Sequence, residues 1–185
     1  HWLWQDDQFN ASDYAYFVVP GGFSYGDYLR CGSLAAKSPV MKSLSEASKQ
    51  GFPILGICNG FQILCEAKLL PGVLVQNESR RFIDNWVDLK IENKTPFMGA
   101  GGRIRLPIAH GEGRYFANND ELKQIEDNGQ IWMRYFDNPN GSMNDIAGVM
   151  NSTKNVCGLM PHPERALFDW MGGHDGFKFF TEAGA

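Results

Sequence analysis

Two short stretches of this 185-residue sequence carry side chains that could do covalent chemistry. Gly56-Ile57-Cys58-Asn59-Gly60 sets a cysteine between two glycines, and Pro161-His162-Pro163-Glu164-Arg165 sets a histidine two residues before a carboxylate. A cysteine nucleophile needs a base to take its proton and a third group to orient that base. Cys58, His162 and Glu164 supply those types, and a spacing of two lets imidazole and carboxylate project the same way from an extended chain. The prolines on either side of His162 stiffen the segment. Read alone, His-x-Glu is an ordinary surface loop with a chance acid, and a cysteine is commonly a small buried hydrophobe.

The surroundings of Cys58 argue against the second of those readings. Phe52 to Ile57 is a short apolar run that reads as a buried strand, and Asn59 to Lys68 follows with helical spacing, Phe61, Leu64 and Cys65 on neighbouring faces. Cys58 falls on the turn between them. Gly56, Cys58 and Gly60 form a G-x-C-x-G pattern like the nucleophile elbow, whose small flanking residues allow a sharp, strained turn. Its sulfur would sit at the first turn of a helix, where backbone N–H groups and the dipole favour a thiolate. Cys31, Cys65 and Cys157 form no C-x-x-C pair and no Cys/His zinc spacing, so they read as separate thiols and no metal site is expected.

A chain of this length supports one domain with a substantial core. Seventeen basic against 21 acidic residues, net -4, leave no cationic excess for nucleic acid. No apolar run approaches a membrane span, and the first ten residues, with Asp6 and Asp7 and no basic region, do not make a signal peptide. A cytoplasmic protein without membrane contact is expected. The chain starts without methionine and with two tryptophans close together, like the continuation of something.

The elements that must carry the two stretches come in a recognisable order. Tyr14 to Val19 is apolar without alternation, as a strand covered on both faces would be, and Pro20-Gly21-Gly22 ends it. Those glycines permit close approach to a ligand, or make an ordinary tight turn. Phe23 to Arg30 is dense in aromatic and polar groups, and its Ser24 to Arg30 part is the first choice for a docking surface. Ser38 and Pro39 open a helix with Val40, Leu44 and Ala47 as core stripe, and Gly51 ends it. Strand, helix, strand, helix is the signature of a parallel, helix-covered sheet.

Beyond Pro71-Gly72 the character changes. Trp86 to Ile91 and Arg103 to Ile108 alternate, which suits antiparallel or edge strands, and Pro107 argues for an edge. Gly99 to Gly102 reads as a flexible loop, Asn119 to Asp127 as a short helix, Ile131 to Tyr135 as a strand and Asn138 to Gly141 as a turn. His110, flanked by glycine at the end of its strand, could bind or could cap the loop. Ile146 to Met150 and Val156 to Met160 read as a hairpin, and Asp175 to Glu182 as a final helix.

The Cys58 and His162 stretches together resemble the class I glutamine amidotransferases. Pro20 to Gly32, Ala109-His110-Gly111-Glu112-Gly113 and Pro139-Asn140-Gly141-Ser142 are similar, more narrowly, to the glutaminase subunits of phosphoribosylformylglycinamidine synthase. The resemblance implies an α/β fold over residues 1–185, three-layered and flavodoxin-like, with a mostly parallel central sheet and helices on both faces. It lacks the first strand and helix with which family members begin. The resemblance also implies roles: Cys58 as nucleophile, His162 as base and then acid, Glu164 as its orienter. The backbone of Gly22 and Asn59 would form the oxyanion hole. Gln62 would hold substrate, and the backbone of Gly111 and Glu112 would meet the glutamine carboxylate.

L-glutamine is then the substrate, and the partners are a large synthetase subunit and a small accessory subunit. The chain has no Walker-type phosphate loop, so no cofactor is expected in it, and ATP and magnesium belong to the synthetase. The rivals are a silent docking subunit, disfavoured by the intact Cys58, His162 and Glu164, and a cysteine hydrolase or chaperone of the same superfamily. In that superfamily the histidine closely follows the cysteine, where this sequence has Asn59.

Overall fold

Ile54-Leu55-Gly56-Ile57 is buried at every residue, which requires neighbours on both edges and layers on both faces. The computed structural model, which describes residues 1–27 and 30–181, supplies all four. This strand, β2 (Ile54–Ile57), lies between β1 (Phe17–Val19) and β9 (Val156–Leu159), parallel to both. The sheet has seven strands in the order β1-β2-β9-β8-β7-β4-β5, where β4 is Ile83–Ile91, β5 Arg103–His110, β7 Ile131–Tyr135 and β8 Ile146–Met150.

Pairings outward from β9 are antiparallel: β9 with β8, β8 with β7, β7 with β4, and β4 with β5. Followed across the sheet, they leave β1, β2, β9, β7 and β5 pointing one way and only β8 and β4 the other. The mostly parallel sheet expected from sequence therefore holds in strand direction, while parallel pairing is confined to the end that carries the elbow. The carboxyl ends of Val19, Ile57, His110, Tyr135 and Leu159 consequently share one edge, where ligands bind in open α/β sheets.

Helices cover both faces. The first, α1 (Pro39–Lys49), buries Met41, Leu44 and Ala47, with Val40 only half-buried, so the stripe begins one residue later than its spacing implied. Ser38 sits at the N-cap position, yet its hydroxyl donates to the Ala35 carbonyl (2.7 Å) instead of capping the helix. The turn at Ala35–Lys37 presents that carbonyl first. Helix α2 (Asn59–Glu66) packs on the face marked by Gly56 and Gly158, where side chains would collide with Leu64 and Phe61. On the opposite face Trp132 packs against Phe179 of α4 (Lys178–Thr181), ring centroids 5.6 Å apart.

Strand ends shifted where the ladder lacked a partner. Pro53 has no N–H, so β2 starts after it, while its carbonyl takes the Phe17 N–H (2.9 Å). Tyr14 and Tyr16, read as strand, instead pack on Phe9 and Phe97. Pro107 lies on β5, the outermost strand, as its missing N–H predicts. The helix α3 (Asn119–Asp127) and the β8–β9 hairpin stand where expected. Asn155 ties that hairpin to the α1–β2 turn, donating to the carbonyls of Ser48 (2.9 Å) and Phe52 (3.0 Å). A second sheet of β3 (Val73–Val75) and β6 (Arg114–Phe116) was not legible in the sequence. The tail is a turn at Asp175–Phe177 followed by α4, and Glu182 lies outside the described residues.

Candidate active site

Cys58 joins β2 to α2 with φ 50° and ψ -106°. A non-glycine residue in such a conformation costs on the order of 1–3 kcal/mol and persists only where its surroundings impose it. Here two bonds do so. The Cys58 N–H continues the β2–β9 ladder by donating to Leu159 (2.8 Å), and the Cys58 carbonyl accepts the first bond of α2, from the Gln62 N–H (3.1 Å). One residue thus ends a strand and starts a helix. The N–H groups of Asn59, Gly60 and Phe61 precede that first intrahelical bond and are available to an oxyanion. Gly60 is required by contact: a methyl group there would overlap the Val19 carbonyl at the end of β1. Cys58 is buried, as a filler would be, but a filler needs no strained backbone.

His162 arrives from the other end of the chain. Its N–H donates to the Pro107 carbonyl on the free edge of β5 (2.8 Å), and the Cys58 sulfur lies 3.9 Å from the Ala109 carbonyl on the same strand. The ring is 2% exposed, and its Nδ1 stands 2.6 Å from Glu164 Oε1. That bond places the proton on Nδ1 and leaves Nε2, buried without a protein partner, as the basic nitrogen. Gly21 separates the ring from the cysteine. A side-chain carbon at Gly21 would come 3.0 Å from His162 Cε1 and 3.5 Å from Cys58 Cβ, so the missing side chain is what lets the two groups share this edge.

Beside them Gly22 takes φ 150°, with open space where a side chain would start. Asn59 accepts the Ser24 N–H (3.2 Å) on Oδ1 and donates from Nδ2 to Gln62 Oε1 (2.9 Å). Gln62 in turn donates to the Glu112 carbonyl (2.6 Å). The Ser24 backbone, two residues beyond Gly22, the elbow helix and the Gly111–Glu112 loop are therefore linked through side-chain amides. All eight residues singled out from sequence converge at one edge of the sheet, although Gln62 spends its amide on the loop.

A model of the CobB/CobQ-like glutamine amidotransferase domain matches residues 4–175. The chain belongs to that family. It is 48% identical to a chain in the structure of PurLQS from Thermotoga maritima, with a TM-score of 0.87 over 96% of this chain and 81% of that one. It also resembles in fold a glutamine amidotransferase from Thermotoga maritima at 19% identity, TM-score 0.52, covering 87% of this chain and 61% of that one.

Further groups line the edge of this amidotransferase domain, and two of them, Tyr135 and Asn77, had no site signal in the sequence. Tyr135 ends β7 with its hydroxyl fully buried; burial, then the nearby Cys58 charge, push its ionisation well above the ordinary range. Asn140, in the turn read from Asn138 to Gly141, donates to the Gly113 carbonyl (2.9 Å). Asn77, 1% exposed, lies in a polar run without periodicity, and only its burial marks it. Of the segment read as a docking surface, Tyr28 and Leu29 lie outside the described residues, and Arg30 pairs with Glu66 (2.6 Å).

His110 proves to be a buried member of this edge, its Nδ1 3.0 Å from Asn77 Oδ1. Burial, then the charge of His162, pull its pKa down from 6.5 to about 4. The unfolded chain takes up this proton at the ordinary value. His110 therefore stabilises the fold fully above about pH 6.5, and on the order of 3 kcal/mol is lost as pH falls to about 4. Urea unfolding across that window should show extra proton uptake on unfolding, and His110→Gln should flatten that acid limb. An unchanged limb in the variant would assign the proton elsewhere.

Proposed function

We propose that this chain, as a single glutamine amidotransferase domain over residues 1–185, is the glutaminase component of a phosphoribosylformylglycinamidine synthase in purine synthesis. The observation that carries the reading is the strained Cys58 turn set beside the His162–Glu164 pair across the bare backbone of Gly21. The likeness to a chain of PurLQS supports the narrower assignment.

Cys58 Sγ attacks the side-chain amide carbon of glutamine as His162 Nε2 takes the thiol proton. Charge that develops on the amide oxygen meets the preorganised N–H groups of Gly22 and Asn59. Glu164 stabilises the imidazolium and keeps its orientation. His162 then gives the proton to the amide nitrogen, the C–N bond breaks, and ammonia leaves a glutamyl thioester on Cys58. Water, deprotonated by His162, attacks the thioester and releases glutamate, and the proton returns to sulfur. Gln62 holds the Gly111–Glu112 loop, whose N–H groups receive the α-carboxylate of glutamine. Ammonia passes to a large synthetase subunit, which binds ATP and magnesium, with a small accessory subunit completing a cytoplasmic complex.

The test is glutamate release by the purified chain with its synthetase partner, coupled to formation of the amidine product. Glutamate and product forming in equal amounts supports the reading. An assembled complex that uses ammonia but never glutamine would overturn it.

A further inference from the structure

Residues 110–113 owe their shape to one buried residue, Asn77, through its side chain and its backbone N–H. A trans peptide points its carbonyl and its N–H in opposite directions, and the described chain has no cis peptide. Asn77 Nδ2 donates to the His110 carbonyl (2.9 Å), and the Asn77 N–H donates to the Gly111 carbonyl (2.9 Å). The N–H groups that share those peptides belong to Gly111 and Glu112. Both are thereby turned away from Asn77, side by side, as a pair of donors suited to an anion.

The same amide fixes a ring. Asn77 Nδ2 also donates to the Arg81 carbonyl (2.9 Å), while Oδ1 accepts the Gly113 N–H (3.1 Å). A flipped amide would set oxygen against two carbonyls and nitrogen against an N–H, so the orientation is determined. Oδ1 is an acceptor, and His110 Nδ1, 3.0 Å away, must carry the hydrogen. The ring packs where a side chain at Gly113 would otherwise stand, and its Nε2 is buried without a protein partner.

We propose that Asn77 is the positioning residue of the glutamine carboxylate site: it turns the Gly111 and Glu112 N–H groups toward the substrate and holds His110 as the Nδ1–H tautomer beneath them. The inference rests on the reading above that the α-carboxylate of glutamine meets these two groups. The low pKa of His110 is consistent with a neutral ring at working pH.

Two reagents for Cys58 separate positioning from mere structure. A diazoketone analogue of glutamine carries the α-carboxylate, whereas iodoacetamide does not. In Asn77→Ala, which keeps the backbone bond to the Gly111 carbonyl but releases the His110 carbonyl and with it the Gly111 N–H, diazoketone labelling of Cys58, mapped by mass spectrometry, should slow by about tenfold, the loss of one charge-assisted bond. Labelling of Cys58 by iodoacetamide should stay within about twofold of the parent, and KM for glutamine should rise more than kcat falls. Asn77→Asp, nearly isosteric and unable to donate to the carbonyls, should behave the same way should the alanine variant not fold. Equal slowing with both reagents would reduce Asn77 to a structural residue, and no slowing would remove it from the site. Long-range proton–nitrogen spectra of the parent should show His110 as the Nδ1–H tautomer near neutral pH; the other tautomer would also overturn the proposal. A parent chain that the diazoketone never labels, with or without synthetase, would sink the glutaminase reading itself, and this inference with it.

Discussion

Cys58→Ala should lower glutamine-dependent turnover by at least about 10⁴-fold, since removing a nucleophile leaves only binding and oxyanion stabilisation. Ammonia-dependent synthesis by the complex should be nearly unchanged. The substitution deletes one sulfur from a buried turn whose conformation is imposed by bonds to Leu159 and Gln62, and alanine keeps both. The fold and the docking surface therefore survive, and the two activities separate. Steady-state assays with glutamine and then ammonia as nitrogen donor decide the matter. A variant that lost both activities together would mean that Cys58 acts through structure, and one that lost neither would place the nucleophile elsewhere.

Gly60→Ala should be damaging for a different reason. In an exposed helix the change favours folding by about 1 kcal/mol. Here the added methyl would occupy the position of the Val19 carbonyl oxygen, at the carboxyl end of β1. Backbone cannot rotate away as a side chain can, so α2 must lift off β1, with a loss of about 3 kcal/mol or more in place of the gain. The lift also moves the first turn of α2, which supplies the Asn59 N–H and fixes Cys58. Urea unfolding should show the sign reversal, and glutaminase activity should fall even in the fraction that remains folded. An alanine variant as stable as the parent would show that α2 does not press on β1.

The turn at Cys58 and the pairing of His162 with Glu164 were legible because they are local. The glycines around Cys58 announce a turn that only small neighbours allow, and His162 and Glu164 are close enough in sequence to be read as a pair. Pro107 announced an edge strand by what it lacks. The hidden part depends on contacts between distant segments. Nothing near Asn77 marks it, because the partners that matter are the carbonyls of His110 and Gly111, reached only after β5 has been laid against β4. The antiparallel character of the outer strands was legible from their alternation, but the strand order β8-β7-β4-β5 was not, since alternation marks a half-polar strand without naming its neighbour. Ser38 carried a cap signal that was sound locally and was overridden by the Ala35 carbonyl in the preceding turn.

The most direct measurement is the mass-spectrometric map of the adduct formed with a glutamine-like diazoketone, on the chain alone and with its synthetase. The account predicts a label confined to Cys58, absent from Cys31, Cys65 and Cys157, and blocked by excess glutamine. Labelling only with synthetase present would keep the nucleophile and add that docking completes the pocket. A label on another cysteine, or none on Cys58 in the assembled complex, would contradict it.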